Sequence, residues 1–189
     1  GHGELTALAK TIAQERGLAI ASQGHERAVR LVADFWRSPV QAELARALAE
    51  TVRRELPFAY QEQEVLITGV YDLTWEEPGG IRRLVDYKTN ALAGRPPSVA
   101  VEPYRLQAQV YGLAALRGGA RRVRLDFVFL EQPEESVTFE FGENDEAQLA
   151  ESVRAELAGI RAGQFPAVRG THCVSCEVSR VCGASSERV

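Results

Sequence analysis

The stretch from Val65 to Asn90, V-L-I-T-G-V-Y-D-L-T-W-E-E-P-G-G-I-R-R-L-V-D-Y-K-T-N, leaves this chain few options. It predicts a β-hairpin. Val65 to Trp75 is rich in β-branched and aromatic residues, Pro78-Gly79-Gly80 is turn chemistry, and Ile81 to Thr89 resumes as a strand. Side chains alternate between the two faces of a strand. One set (Val65, Ile67, Tyr71, Leu73, Trp75, Ile81, Val85 and Tyr87) is apolar and is expected to face a core. The other carries Asp72, Asp86 and Lys88. A turn centred on Gly79 sets Asp72 opposite Asp86, with Lys88 two residues further along the same face. Two carboxylates brought together repel each other and are tolerated when a cation sits between them.

Carboxylate oxygens are hard ligands that favour Mg²⁺ or Mn²⁺ over soft metals. Such an ion polarises a phosphate and acidifies a bound water, while a neighbouring lysine orients that water and offsets the charge growing on the phosphoryl oxygens. The pattern therefore suits phosphodiester hydrolysis. On spacing alone, an exposed hairpin carrying a surface Asp–Lys ladder is an equally open reading.

Around the hairpin, hydrophobic periodicity predicts helices over Glu4 to Ile20, His25 to Phe35 or Trp36, and Pro39 to Val52, then a strand from Arg53 to Ala59 antiparallel to the Val65 strand. Ala91 to Val101 reads as irregular, with Gly94, Pro96 and Pro97 breaking it. A helix is expected from Pro103 to the Gly118-Gly119 stop, with Tyr104, Gln107 and Tyr111 along one face. Arg122 to Leu130 and Val137 to Phe141 read as strands, Asp126 as an exposed edge or strand-face residue, and Asn144 as the cap of a helix reaching Ala162. These elements add up to an α/β fold: a mixed central sheet of about five strands flanked by helices.

At 189 residues the chain is sized for one domain. Within it we distinguish a helical part (1–52), a catalytic sheet with its helix (53–141), a further helix (142–163) and a cysteine-bearing tail (164–189). With 45% hydrophobic and 25% charged residues it has an ordinary globular composition. No apolar run approaches membrane-spanning length and no signal-peptide pattern is present, so no membrane partner and a cytoplasmic location are expected. The net charge of −4 lacks the basic excess of a protein that grips DNA by itself, Arg121, Arg122 and Arg124 notwithstanding. DNA is then delivered by something else or held in a small groove. The absence of Met points to a piece cut from a longer polypeptide.

G-V-Y-D followed by V-D-Y-K-T resembles the PD-(D/E)XK nucleases, specifically the RecB/AddA type at the C-terminus of DNA-repair helicases. R-E-L-P-F at Arg54 to Phe58 is similar to that branch's E-x-P-F strand, and Tyr104-Arg-Leu-Gln107-Ala-Gln-Val-Tyr111 to its Y-x-x-Q-x-x-x-Y helix. The resemblance implies a restriction-endonuclease-like fold and a Mg²⁺-dependent deoxyribonuclease, exonuclease in preference to endonuclease, working in double-strand-break repair. It implies metal ligation by Asp72, Asp86, the Tyr87 backbone carbonyl and His25, catalysis by Asp72, Asp86 and Lys88, and DNA contacts by Gln107, Tyr111 and Tyr104. The implied partners are DNA, an upstream helicase motor in the same polypeptide, and a second helicase–nuclease subunit. Glu55 can be read as catalytic or as half of a strand-positioning salt bridge, and stays outside the metal shell. The competing class is a non-catalytic DNA-guiding or docking module of the same fold. Degenerate copies of that kind lose the acids or the lysine, which this chain keeps.

The tail holds every cysteine of the chain, Cys173, Cys176 and Cys182, beside His172. C-x₂-C-x₅-C resembles the C-terminal ligands of the iron–sulfur branch of these nucleases, which includes free-standing CRISPR-adaptation exonucleases. A cluster needs four thiolates and a zinc site four ligands. An iron–sulfur or zinc site at these cysteines is therefore expected only where a fourth ligand comes from outside the segment. Otherwise the motif is vestigial.

Overall fold

In the computed structural model, which describes residues 2–17, 22–170, 173 and 176–182, the hairpin predicted at Val65 to Asn90 forms the middle of the sheet. The side chains of His2, Ser22, Gln23 and His25 fall outside the description. Along the chain the elements are α1 (His2–Glu15), α2 (Ser22–Phe35), α3 (Pro39–Leu44), β1 (Arg53–Glu62), β2 (Val65–Glu77), β3 (Ile81–Lys88), α4 (Pro97–Ala100), α5 (Arg105–Arg117), β4 (Arg122–Phe129), β5 (Val137–Gly142) and α6 (Glu146–Arg161).

Five strands lie in the order β1-β2-β3-β4-β5. All neighbours are antiparallel except β3 and β4, which run parallel because α5 carries the chain back across the sheet between them. The sheet is mixed and has helices on both faces, as expected. The turn at Gly79 and Gly80 works because both take positive φ, 86° and 74°, at no steric cost to glycine. Leu73 pairs with Val85, Thr74 with Leu84, and Trp75 with Arg83, so the register is symmetric about Gly79.

One expectation about the faces is corrected. Alternation assigns Tyr71, Leu73 and Trp75 to a single core, yet they divide. Tyr71 packs with Leu84, Leu113, Phe127 and Leu149 beneath α5 and α6. Leu73 and Trp75 pack with Val40, Val85 and Val128 beneath α3. The division falls where the pairing with β1 is interrupted. Arg54 pairs with Leu73 and Leu56 with Tyr71, but Glu55 and Asp72 between them do not pair, and Glu55 has φ of 50°. A non-glycine residue in this left-handed region is strained, and such a local break in the ladder re-aims the side chains around it.

Asp126 is not an exposed edge residue. It is 1% accessible, on the α3 face. Arg83, equally buried, donates from Nη2 to Asp126 Oδ2 at 2.7 Å, and Thr138 Oγ1 donates to Asp126 Oδ1 at 2.6 Å. Arg83 also reaches Glu77 at 3.0 Å and Glu43 on α3 at 2.5 Å, and its guanidinium stacks over Trp75. Burial works against the Arg83 charge, but Asp126 and Glu43 more than offset it and hold the guanidinium more firmly protonated than usual.

Helix ends differ in detail from expectation. α3 stops at Leu44 rather than Val52, although it opens at Pro39 as predicted; Ser38 caps it, its side chain accepting from Gln41 N–H. α5 begins at Arg105, after a single 3₁₀ turn at Glu102–Tyr104. Asn144 is not the cap of α6. The carboxylate of Asp145 instead reaches back to accept from the Gly142 N–H at 2.7 Å. α5 lies close to the sheet because Gly112 has no side chain; a Cβ there would run into the Phe141 ring.

Candidate active site

Asp86 and Lys88 leave β3 on the face beneath α5, where three side chains close a ring. Gln107 Nε2 donates to Asp86 Oδ2 at 2.7 Å, Lys88 Nζ donates to Gln107 Oε1 at 2.9 Å, and Lys88 Nζ lies 2.5 Å from Asp86 Oδ1. The last contact is a close ion pair, and beyond it Asp86 Oδ1 is buried with no hydrogen-bond partner among the described residues. Regular β2–β3 pairing ends at Leu73–Val85, so Asp72 and Asp86 are not a paired couple as the turn centre predicts; instead Asp72 Oδ2 accepts from the backbone N–H of Tyr87 at 2.8 Å. That bond crosses from β2 to β3 just past the last regular pair.

The electrostatics mark Asp86. Burial pushes its carboxyl above the usual range, the nearby charge of Asp72 adds to this, and the bonds from Lys88 and Gln107 only partly counter it. Burial and Asp72 likewise push the Tyr87 hydroxyl up to about 12, its ring lying edge-on to Phe35. Burial is also the main cause of the raised Tyr111 hydroxyl, with Asp86 and Asp72 contributing.

The three α5-face residues are placed differently from one another. Gln107 is engaged by Asp86 and Lys88. Tyr111 wedges edge-on against Phe58 and Tyr71, and its hydroxyl donates to the Val70 carbonyl at 2.8 Å. Tyr104 lies with its ring centroid 4.0 Å from Lys88 Nζ, and its hydroxyl bonds Asn90 Oδ1 at 3.2 Å.

His25 belongs to α2, but its side chain lies outside the described atoms. Two residues on, Arg27 donates from Nη2 to the Thr89 carbonyl and to Glu131 Oε1, each at 2.9 Å, while Glu131 Oε2 accepts from Leu92 N–H at 2.9 Å. This clasp ties α2 to the segment following Lys88. Neither Arg27 nor Glu131 stands out in the sequence; the only available signal is an arginine on the helix that carries His25.

Cys173, Cys176 and Cys182 form no disulfide, and His172 lies outside the described residues. Gly170 N–H points at Cys173 Sγ at 3.4 Å, and Cys176 N–H at the Cys173 carbonyl at 3.5 Å. Among the described residues no three His, Cys, Asp or Glu side chains gather into a metal-binding group. Nor does any described helix have the length and apolarity needed to cross a membrane.

The PD-(D/E)XK nuclease superfamily matches residues 3–183, nearly the whole chain. The chain belongs to that superfamily. The ring of Asp86, Lys88 and Gln107, with Asp72 beside it, lies within the matched PD-(D/E)XK region. Over 131 residues the chain is 28% identical to one subunit of an ATP-dependent helicase/nuclease from Desulforudis audaxviator, covering 62% of this chain and 10% of that protein. The chain therefore spans about a tenth of the length of this relative. A solved structure described as "Putative exonuclease", from Eubacterium rectale, is 13% identical with a TM-score of 0.47, covering 87% of this chain and 61% of that one.

Proposed function

We propose that this domain hydrolyses DNA phosphodiester bonds with the help of Mg²⁺ or Mn²⁺, as the nuclease module of a longer helicase–nuclease that processes DNA ends at double-strand breaks. The observation that carries the reading is the closed ring of Asp86, Lys88 and Gln107 beside Asp72, in a chain of the PD-(D/E)XK superfamily. The similarity to a helicase/nuclease protein supports the upstream motor as partner.

The donor set suits a hard divalent ion. Asp86 Oδ1 is buried and lacks a hydrogen bond, and burial together with Asp72 disfavours its negative charge. Asp72, Asp86 and the Tyr87 carbonyl would hold the ion, with His25 as a further ligand from α2. Bound there, the ion supplies Lewis acidity toward the phosphate and its attacking water. The other steps belong to the chain. Lys88 orients the water and neutralises charge on the phosphoryl oxygens. Gln107 holds Asp86 and Lys88 in a fixed relation, and Tyr111 stiffens the wall against which a strand is laid. An acidic domain without a broad basic face holds DNA weakly by itself, so tethering to a motor supplies the substrate at high local concentration.

The test is cleavage of linear, circular and single-stranded DNA with and without Mg²⁺, alongside Asp86→Ala. Mg²⁺-dependent loss of linear DNA that vanishes in Asp86→Ala is the expected result. Wild-type cutting by the variant would move the site elsewhere. A wild-type protein that binds DNA but never cuts it, alone or fused to its motor, would favour the DNA-guiding module.

A further inference from the structure

Among the described residues Lys88 has only one carboxylate within ion-pairing distance, Asp86, and in the reading above that same carboxylate must turn to a divalent cation. An ammonium and a cation cannot share it comfortably, since like charges repel. Whatever keeps Lys88 in place while Asp86 is so occupied must therefore be neutral. Two neutral supports are present: the Gln107 Oε1 acceptor at 2.9 Å and an aromatic face, Tyr104, whose centroid is 4.0 Å from Nζ. Phe127 adds a second ring at 5.0 Å. A cation within about 6 Å of a ring centroid is attracted by the ring quadrupole.

The Tyr104 ring is itself fixed. It stacks on Phe127 at 5.8 Å and leans on Phe129 at 6.3 Å, both fully in the core, and its hydroxyl bonds Asn90, two residues beyond Lys88. The residue thus grips the Lys88–Asn90 segment at both ends, through its face and through its oxygen.

We infer that Tyr104 is a positioning residue for Lys88: its ring is the neutral seat that holds the ammonium toward the scissile phosphate when Asp86 is engaged elsewhere. This replaces a direct DNA contact as the role of Tyr104, and it rests on the nuclease reading for its catalytic consequence but not for the seat itself.

The seat is tested on the metal-free protein by the NMR shift of the Lys88 ε-methylene, assigned by its disappearance in Lys88→Ala. An upfield ring-current shift is expected in wild type and in Tyr104→Phe, and its reduction to the smaller contribution of Phe127 in Tyr104→Leu. Tyr104→Met provides a second ring-less variant should the leucine form fail to fold. Steady-state cleavage kinetics then test the consequence. Tyr104→Leu should lower kcat about ten-fold with KM for DNA unchanged, as expected for losing a desolvated cation–π contact, and Tyr104→Phe should restore most of it. In a Lys88→Ala background the leucine substitution should cost nothing more, because its effect runs through the lysine. An unchanged Lys88 signal in the ring-less variants overturns the seat. A raised KM with kcat intact, or an undiminished loss without Lys88, assigns Tyr104 to the DNA strand instead. A wild-type protein that never cuts DNA, alone or fused to its motor, would end the nuclease reading while leaving the NMR result to decide the seat.

Discussion

Asp86 and Asp126 are carboxylates on adjacent strands of one sheet, 3% and 1% accessible, and each faces a cation. On the α3 face, Asp126 spends one oxygen on Arg83 and the other on Thr138. On the α5 face, Asp86 keeps one oxygen without a hydrogen bond and has a second acid for a neighbour. Both Asp126 oxygens are used within the fold, whereas the proposed function gives the second Asp86 oxygen a cation to bind. Under that reading the same residue type at similar depth serves opposite ends.

The largest effects should separate the two sites cleanly. Asp86→Ala is expected to abolish cleavage while leaving the denaturation midpoint of the metal-free protein unchanged or slightly raised. Arg83→Ala should do the reverse, costing about 3–5 kcal/mol in chemical denaturation by stranding Asp126, with the surviving folded fraction still cutting DNA. Equal loss of stability in both variants would break the distinction. Lys88→Ala comes next, lowering turnover ~10²-fold, the scale for loss of one charge-stabilising group. A smaller effect reaches the site through packing. Gly112→Ala pushes α5 off Phe141, for about 1–3 kcal/mol of stability and a loss of activity as Gln107 moves with its helix.

The smallest effect is a slope. Asp86 has its folded pKa raised, so in metal-free protein the folded state holds that proton more tightly than the unfolded chain does. Its contribution favours folding below the ordinary aspartate value of about 3.9 and is lost as pH rises from there through the raised folded value. Asp86→Asn should remove that segment of the pH–stability curve, measured by denaturation midpoints with chelator present. An identical curve in the variant would show that Asp86 carries no such strain.

The hairpin is legible in the sequence because its information is local. Glycines fix the turn, alternation fixes the faces of β3, and the pair Leu73–Val85 follows from counting. Asp126 is not, because its partner Arg83 lies 43 residues away, beyond a crossover helix. A lone aspartate in an apolar strand does not announce such a partner. The division of Tyr71 from Leu73 escapes for a related reason: it coincides with a break in pairing to Glu55 on another strand, and nothing in E-L-P-F signals a positive φ. Helical spacing brings Gln107 to the site but does not reveal it as the bridge between Asp86 and Lys88, since that contact depends on how closely α5 approaches the sheet.

β3 feeds both buried ion pairs, with Arg83 on one face and Asp86 and Lys88 on the other, so a single register governs both. A slip by one position would carry Arg83 away from Asp126 and leave an uncompensated charge in the core, at a cost of several kcal/mol. Molecules with β3 misaligned should therefore be too unstable to persist. Under the proposed function the Arg83–Asp126 pair would act as a fidelity check on the Asp86–Lys88 site, and a one-residue insertion in the Pro78–Gly80 turn should yield unfolded protein rather than a folded, inactive one.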